Sequence, residues 1–360
     1  MKYANLVQEV RAALVRGIPL FAGCAPCADV FSWQERRSCL PEPAFPVDFV
    51  YAWVDGEDPE LAARRALYAG DDCSGEGLSR FRDNGELRYA LRSLEAYAPW
   101  ARRIFIVTDG QVPAWLNTCH PKIRVVDHTA CIPQEYLPTY NLRVIEAHLH
   151  CIPDLAEHYV YCNDDFFLLA ACLPKDFFTA SGLPYIFTDW RRCRRKGYER
   201  AGTPHSASYA NARAWLEAHG IAPAPDLIAA HVPYPQTRGN SRESYAFYEE
   251  CIREFARRKF RDFSGLTLTC HGAPLWAYAA RRAVPCDMPY YYMNSRRYDR
   301  KLYYEAMLRE KGQGTLPPFL CINDTGGDTG VQMEEMLAFL NAYYPDSSEF
   351  ERDIPRTSAT

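Results

Sequence analysis

Four short apolar runs, each followed directly by acidic residues, constrain the fold of this chain most strongly. The runs cover residues 47–54, 104–108, 123–126 and 159–162, and their β-branched and aromatic content predicts buried strands. The polar groups behind them are Asp55, Asp109, Asp127 with His128, and Asn163 with Asp164 and Asp165. Helical patterns separate the runs. The sequence therefore predicts βαβ units and an α/β fold with a mostly parallel, Rossmann-like sheet and helices on both faces.

The helical patterns are predicted at four places. The first helix spans residues 84–97 with Asn84 as its N-cap, and the second spans residues 142–150. Helices are also predicted near residues 243–260, and an amphipathic helix spans residues 331–340. A short strand at residues 318–322 ends in Asn323 and Asp324. We expect one catalytic domain at residues 46–330 with a helical insertion at about 180–260, an N-terminal appendage at 1–45, and a C-terminal helix and tail at 331–360.

Composition excludes several classes of protein. The formal charge of −4 is spread over 41 basic and 45 acidic residues, which argues against nucleic acid as the main partner. The 14 cysteines are scattered, which favours reduced thiols in a cytoplasmic protein, and Cys24 and Cys27 form an isolated C-x-x-C pair. No apolar run reaches the roughly 18 residues of a membrane span. We expect a cytoplasmic protein, with association at the inner face of the membrane as the alternative.

The polar residues behind the strands can bind a metal ion. In a parallel sheet, ligands bind beyond the carboxyl ends of the strands, and Asp164 and Asp165 offer hard oxygen ligands for Mg²⁺ or Mn²⁺ there. Such an ion would stabilise the charge of a departing phosphate. The alternative is a solvated turn that caps the next element. The apolar runs on both sides favour the metal site, because desolvated carboxylates repel each other unless a cation is present.

Three further candidates lie later in the chain. His231 is a candidate general base, because imidazole titrates near physiological pH. Arg261 could clamp phosphate oxygens, and the basic run at residues 191–196 could bind an anionic acceptor. Ordinary structural roles are the alternatives: a core histidine, a helix-end ion pair and a solvated loop.

Four blocks of this sequence, taken together, resemble the Stealth proteins. This family includes bacterial capsular-polysaccharide phosphotransferases and the catalytic subunit of the lysosomal-enzyme N-acetylglucosamine-1-phosphotransferase. The blocks are residues 47–56, a long block from Arg80 to Asp165, a third from His231 to Arg261, and residues 321–324. The long block includes residues 108–116 and 137–141.

The resemblance implies an A-type glycosyltransferase-like fold and a metal-dependent transfer in which the sugar keeps its phosphate. It implies a nucleotide-sugar donor, with a UDP-sugar favoured, an oligo- or polysaccharide acceptor, and a setting near a capsule-assembly complex. It points to Asp165 and Asp164 as catalytic or metal-binding carboxylates, His231 as base and Arg261 as phosphate clamp, with Asn323 and Asp324 closing the metal site. The donor-binding residues it implies are Trp53, Asp55, Gly56, Asp83, Asn84, Arg88, Asp109, Asn141 and Asn163.

Two other functions fit the same residues. An ordinary metal-dependent glycosyltransferase would attack the anomeric carbon instead of phosphorus, and a non-catalytic sugar-binding protein would keep only the cleft. Of the two adjacent carboxylates, Asp165 is favoured as the one that faces the metal.

Overall fold

The computed structural model of this chain describes residues 30–68, 81–189, 202–224, 227–324 and 330–352. The strands are β1 (Val47–Ala52), β2 (Ile104–Thr108), β3 (Ile123–Asp127), β4 (His158–Cys162), β5 (Phe166–Leu168), β6 (Tyr185–Phe187), β7 (Tyr234–Thr237), β8 (Val284–Cys286), β9 (Tyr290–Asn294) and β10 (Phe319–Asn323). The α-helices are α1 (Val30–Ser38), α2 (Pro59–Ala66), α3 (Glu86–Tyr97), α4 (Leu142–His148), α5 (Pro204–Ala218), α6 (Arg238–Phe247), α7 (Glu249–Ala256), α8 (Ala273–Ala279), α9 (Arg300–Glu310) and α10 (Gly330–Tyr343). Cys24, Cys27 and the basic run at 191–196 lie outside the described residues.

The main sheet has five strands in the order β3-β2-β1-β4-β7. The first four are parallel, and β7 joins β4 antiparallel at the edge. All residues of β2 are buried, as are five of the six in β1, so both faces of the sheet are covered. The prediction of a mostly parallel α/β sheet is confirmed.

A second, three-stranded sheet has the order β5-β10-β9. β10 runs antiparallel to β5 and parallel to β9. Three residues separate β4 from β5, so the chain passes from the main sheet to the second sheet through Asn163, Asp164 and Asp165. The packing of α3 against β5 and of α10 against α3 and α9 covers this second sheet.

One predicted detail is wrong. The N-cap of α3 is Gly85 in a left-handed conformation (φ 83°), and not Asn84. The Asn84 amide donates to Glu86 instead of capping the first turn. The helices predicted near 243–260 are α6 and α7, which meet at Tyr248.

The described part of the predicted appendage at 1–45 packs on the rest of the chain. Trp33 lies in the core with 5% of its surface exposed, and the Phe45 ring stacks on His158 with centroids 3.6 Å apart. Arg37 forms an ion pair with Asp176 at 2.7 Å. Among the helices described here, none has the length and apolar character that crossing a bilayer requires.

A buried carboxylate ties β1 to the starts of its two neighbours. Asp48 is completely buried and accepts two bonds from the Arg102 guanidinium, at 2.8 and 2.5 Å. It also accepts from the backbone N–H groups of Arg103 (3.1 Å) and Ala156 (2.7 Å). These four donors compensate the cost of burying the carboxylate charge. An uncharged side chain at this position would satisfy the same donors poorly.

We expect Asp48→Asn to lower the free energy of unfolding by about 3 kcal/mol, because it breaks a buried and hydrogen-bonded ion pair. Urea unfolding of the wild type, of Asp48→Asn and of a control variant measures this free energy. Asp154→Asn is the matched control: its side chain is 84% exposed and lies 3.9 Å from Arg103, so a change close to zero is expected. Equal effects of the two substitutions would contradict this account of Asp48.

Candidate active site

The site lies where the strand order of the main sheet reverses. β2 lies on one side of β1 and β4 on the other, and crevices at such points bind ligands in open α/β sheets. Tyr51 of β1 pairs with Cys162 of β4, so the segments after the two strands leave the sheet side by side. The Trp53 N–H donates to the Val107 carbonyl at 3.0 Å, which also ties the end of β1 to β2.

The second sheet brings the late acidic residues to the same place. Phe166 pairs with Cys321, and the Ile322 N–H donates to the Asp165 carbonyl at 3.2 Å. The Cys321 thiol lies 3.5 Å from the Asp165 carboxylate and donates to it. Asn323 and Asp324 follow directly, so this pairing joins two segments more than 150 residues apart in sequence. The segments 163–165 and 323–324 therefore lie side by side, and their role as ligands of one metal ion stays a prediction.

Five carboxylates converge there: Asp83, Glu86, Asp164, Asp165 and Asp324. Burial raises the pKa of Asp165 to about 7, and the nearby Glu86 and Asp324 add to the rise. Burial also raises the pKa of Asp164 well above its usual range, with further contributions from Glu86, Asp165 and Asp83. The pKa values of Glu86 and Asp83 are raised chiefly by burial as well. These shifts mean that the cluster is short of positive charge.

The cluster fits a hard divalent cation. Asp165 Oδ1 is buried and has no hydrogen-bond partner in the described part of the chain. Arg82 pairs with Asp324 at 3.5 Å, and its single charge cannot balance five carboxylates. Carboxylate and amide oxygens are the ligands that Mg²⁺ and Mn²⁺ take in proteins, and Asn163 and Asn323 add half-buried amides beside the acids. A cation would lower the cost of burying these charges.

His231 lies beside Asp165. Ligand atoms of Asp165, His231 and Cys321 all fall within 4.8 Å of one another. The His231 Nδ1 is 3.0 Å from the Tyr234 hydroxyl, and the ring packs edge-on against Phe166 at 4.9 Å. The imidazole is thus held in one orientation by β7 and β5, next to the acidic cluster, as a general base requires.

A cavity of about 300 Å³ opens beside the cluster, between the segments that follow β1 and β2. Trp53, Asp55, Arg64 and Asp109 line it. Arg64 pairs with Asp109 at 2.8 Å, and the buried Trp53 indole lies next to the Asp83 carboxyl, where it opposes the rise that burial causes in the pKa of that group. The carboxylates of Asp55, Asp58, Glu60 and Asp109 line this cavity against one guanidinium, so it suits a polar ligand that donates hydrogen bonds rather than an anionic one.

Gln111 holds the two walls of this cavity together. Its side chain accepts from the Asp55 N–H at 3.0 Å and donates to the Asp55 carbonyl at 2.9 Å. Its amide also lies 2.9 Å from an Asp58 oxygen. Gly56 lies in the wall that follows β1. Its N–H donates to the Phe81 carbonyl at 2.6 Å, and an added Cβ would lie 2.1 Å from that oxygen. This close approach of two backbone segments requires glycine at position 56.

Two predicted site residues, Arg88 and Asn141, make their contacts outside the acidic cluster. Arg88 pairs with Glu351 of the C-terminal segment, which also binds Arg92. The Asn141 side chain caps α4 through the Arg143 N–H at 3.2 Å. Arg261 is half-buried and follows Phe260, whose ring stacks on Tyr140 with centroids 5.5 Å apart.

These contacts anchor Arg88 and Asn141 outside the cluster and leave Arg261 near the loop that ends in Tyr140. Donor contacts of all three stay predictions. Asp83 and Asn84, by contrast, reach the cluster: Asn84 donates to Glu86 at 2.7 Å, and Asp83 contributes to the raised pKa of Asp164.

Sequence reasoning missed three residues that shape this site. Glu86 belongs to the acidic cluster, Gln111 bridges two loops, and Tyr234 orients His231. Glu86 and Gln111 stand within the long matched block, next to residues that were singled out. Tyr234 carried no signal, because the antiparallel edge strand β7 was not predicted.

Comparison with known proteins finds two family models and several sequence relatives that match this chain. Stealth protein CR1, conserved region 1, matches residues 45–73, and Stealth protein CR2, conserved region 2, matches residues 80–186. A capsular polysaccharide phosphotransferase, LcbA, of Aeromonas hydrophila is 36% identical over 308 residues, which cover 84% of this chain and 85% of that protein. Another, fcs1 of Haemophilus influenzae, is 32% identical and covers 88% of this chain and 89% of the relative.

An exopolysaccharide phosphotransferase of Streptomyces coelicolor is 37% identical over 335 residues, which cover 91% of this chain. The chain spans only 55% of that relative and 58% of a second one from the same organism. Among solved structures, the galactosyltransferase LgtC with donor and acceptor sugar analogues has a TM-score of 0.43 at 12% identity, covering 84% of this chain and 96% of that chain.

We expect Asp165→Asn to weaken the affinity for Mn²⁺ at least about tenfold, because it removes an anionic ligand from the cluster. Titration of the full chain with Mn²⁺, followed by electron paramagnetic resonance of the unbound ion, measures this. Asp127→Asn is the matched control: its carboxylate stands at the end of β3 and accepts from the Thr129 N–H at 2.9 Å, so affinity should not change. Equal Mn²⁺ affinity in wild type and Asp165→Asn would contradict the assignment.

Proposed function

The chain belongs to the Stealth protein family, and we propose that it transfers a hexose 1-phosphate from a nucleotide-diphosphate sugar to a hydroxyl group of an oligo- or polysaccharide. N-acetylhexosamine 1-phosphate from a UDP-sugar is the favoured group. The product is a phosphodiester-linked polymer such as a capsule. The expected setting is the cytoplasm, and association with the inner face of the membrane beside a capsule-assembly complex is the alternative. The observation that carries the proposal is the convergence of Asp165, His231 and Asp324 from three distant parts of the sequence.

The acidic cluster supports a diphosphate donor. Asp165 and Asp164, with Asn323 and Asp324, would hold Mg²⁺ or Mn²⁺, and the bound ion would neutralise charge on the phosphate that leaves. Without such an ion, the cluster would repel a diphosphate. The cavity at the ends of β1 and β2 suits the nucleoside end of the donor, because its Trp53 also lies next to Asp83 of the cluster.

His231 supports proton transfer from the acceptor. When Nδ1 carries the proton and donates to the Tyr234 hydroxyl, Nε2 is the nitrogen that can accept a proton. The acceptor oxygen bonds to the phosphorus attached to the sugar as its proton passes to Nε2. The bond from that phosphorus to the bridging oxygen breaks, and a nucleoside monophosphate leaves. Arg261 is proposed to bear charge on the transferred phosphate.

The released nucleotide tests the proposal. With UDP-N-acetylglucosamine, an oligosaccharide acceptor and Mg²⁺, we expect UMP to accumulate in step with the product, measured by anion-exchange chromatography. The reason is that attack at phosphorus leaves one phosphate on the nucleoside. UDP as the released nucleotide would show attack on the sugar carbon and contradict phosphotransfer. No turnover with any nucleotide sugar would favour a sugar-binding protein.

His231→Gln provides the second arm of this assay. Loss of a general base typically slows turnover by about 10²–10⁴-fold. Affinity for Mn²⁺ and KM for the donor should stay near the wild-type values, because the acidic cluster is intact. A loss of activity that follows weaker metal binding would contradict the role of His231 as the base.

A further inference from the structure

Two imidazoles and one thiol form a second cluster close to the active site. His205 lies in the first turn of α5, and Cys270 and His271 lie in the π-helical turn Leu268–Gly272. One ligand atom from each of the three residues falls within 4.8 Å of the other two. We propose that this cluster is a binding site for a thiophilic divalent ion of the Zn²⁺ class, distinct from the hard-cation site at Asp165.

The backbone brings these side chains together in an unusual way. Cys270 and His271 are adjacent in sequence, and adjacent residues of an α-helix do not face a common partner. In this chain they share a wide π-helical turn, a form that is often found at functional sites. His205 completes the group from another helix, with its ring centroid 4.6 Å from that of His271. The convergence therefore depends on the π-helical turn.

A second layer of contacts orients one of the imidazoles. His271 Nδ1 is 2.8 Å from the Ser208 hydroxyl, which accepts from the Thr267 N–H at 2.6 Å. When Nδ1–H donates to Ser208, Nε2 is the nitrogen that can bind a metal. Metal-binding histidines in proteins are regularly held by a contact of this kind at the other ring nitrogen.

The dimensions and burial suit a metal. An ion at the centre of three atoms separated by at most 4.8 Å lies at most about 2.8 Å from each of them, so shifts of under an ångström give Zn–N and Zn–S distances. Cys270 and His271 are 5% and 1% exposed, whereas His205 is half-exposed. The ion would enter from the His205 side and tie α5 to the π-helical turn.

The ligand chemistry separates the two sites. Mg²⁺ prefers oxygen ligands and keeps several waters, so a thiolate with two imidazoles does not suit it. The same three ligands suit Zn²⁺ with a fourth, open position. The His205 and His231 rings are 6.4 Å apart, so an ion bound here lies near the active site while using different ligands.

Co²⁺ is the probe, because thiolate coordination gives it an intense near-ultraviolet charge-transfer band. The full chain is used with Cys24→Ser and Cys27→Ser, which removes the C-x-x-C pair as a competing ligand. After treatment with a chelator, we expect one equivalent of Co²⁺ to produce the band. Stoichiometric Zn²⁺ should abolish it, and excess Mg²⁺ should leave it in place.

Substitutions then locate the ion. Cys270→Ser should abolish the band, and His205→Gln, at a half-exposed position that the fold tolerates, should weaken Co²⁺ affinity at least tenfold. Cys321→Ser is the matched control, because it removes the thiol of the Asp165 group and should leave the band unchanged. A band that survives Cys270→Ser, disappears in Cys321→Ser or is displaced by Mg²⁺ would overturn the proposal. No band in the folded parent protein would overturn it as well.

Discussion

The architecture depends on one junction, the three-residue segment 163–165 that connects β4 to β5. Asp165 stands at this junction: its carbonyl accepts the Ile322 N–H, and its carboxylate accepts the Cys321 thiol. The pairing of β5 with β10 makes the second sheet continuous with the catalytic edge of the main one. Because the same residue joins the sheets and presents a carboxylate, the fold itself positions the site. The pairing of β10 with β5 also places Asn323 and Asp324, at the end of β10, beside Asp165.

This arrangement has an electrostatic cost. Burial and the neighbouring carboxylates raise the pKa values of Asp164, Asp165 and Glu86, so ionising these groups together costs free energy. A protein keeps such a cluster for what it binds, because unpaired buried carboxylates lower stability. Asp48 shows the contrast: it is completely buried, and four donors compensate its charge.

The sequence predicted those parts of the site that follow from parallel-sheet geometry. The strands of a parallel sheet end at one edge, so Asp55, Asp109 and Asp165 could be placed near one another from their positions alone. Long-range contacts could not be predicted in this way. The ion pair of Arg88 joins residues 263 apart, and no local pattern shows that its partner is Glu351. The same holds for Tyr234, which reaches His231 only because β7 pairs antiparallel with β4.

In the proposed reaction, a divalent ion and a donor diphosphate meet at Asp165. Phosphorus-31 nuclear magnetic resonance of UDP-N-acetylglucosamine with the protein and substoichiometric Mn²⁺ tests it directly, because a paramagnetic ion broadens the signals of nearby phosphorus nuclei. The account predicts strong broadening of both phosphorus signals with the wild type and its loss in Asp165→Asn at equal protein and Mn²⁺ concentrations. Equal broadening with both proteins would contradict it.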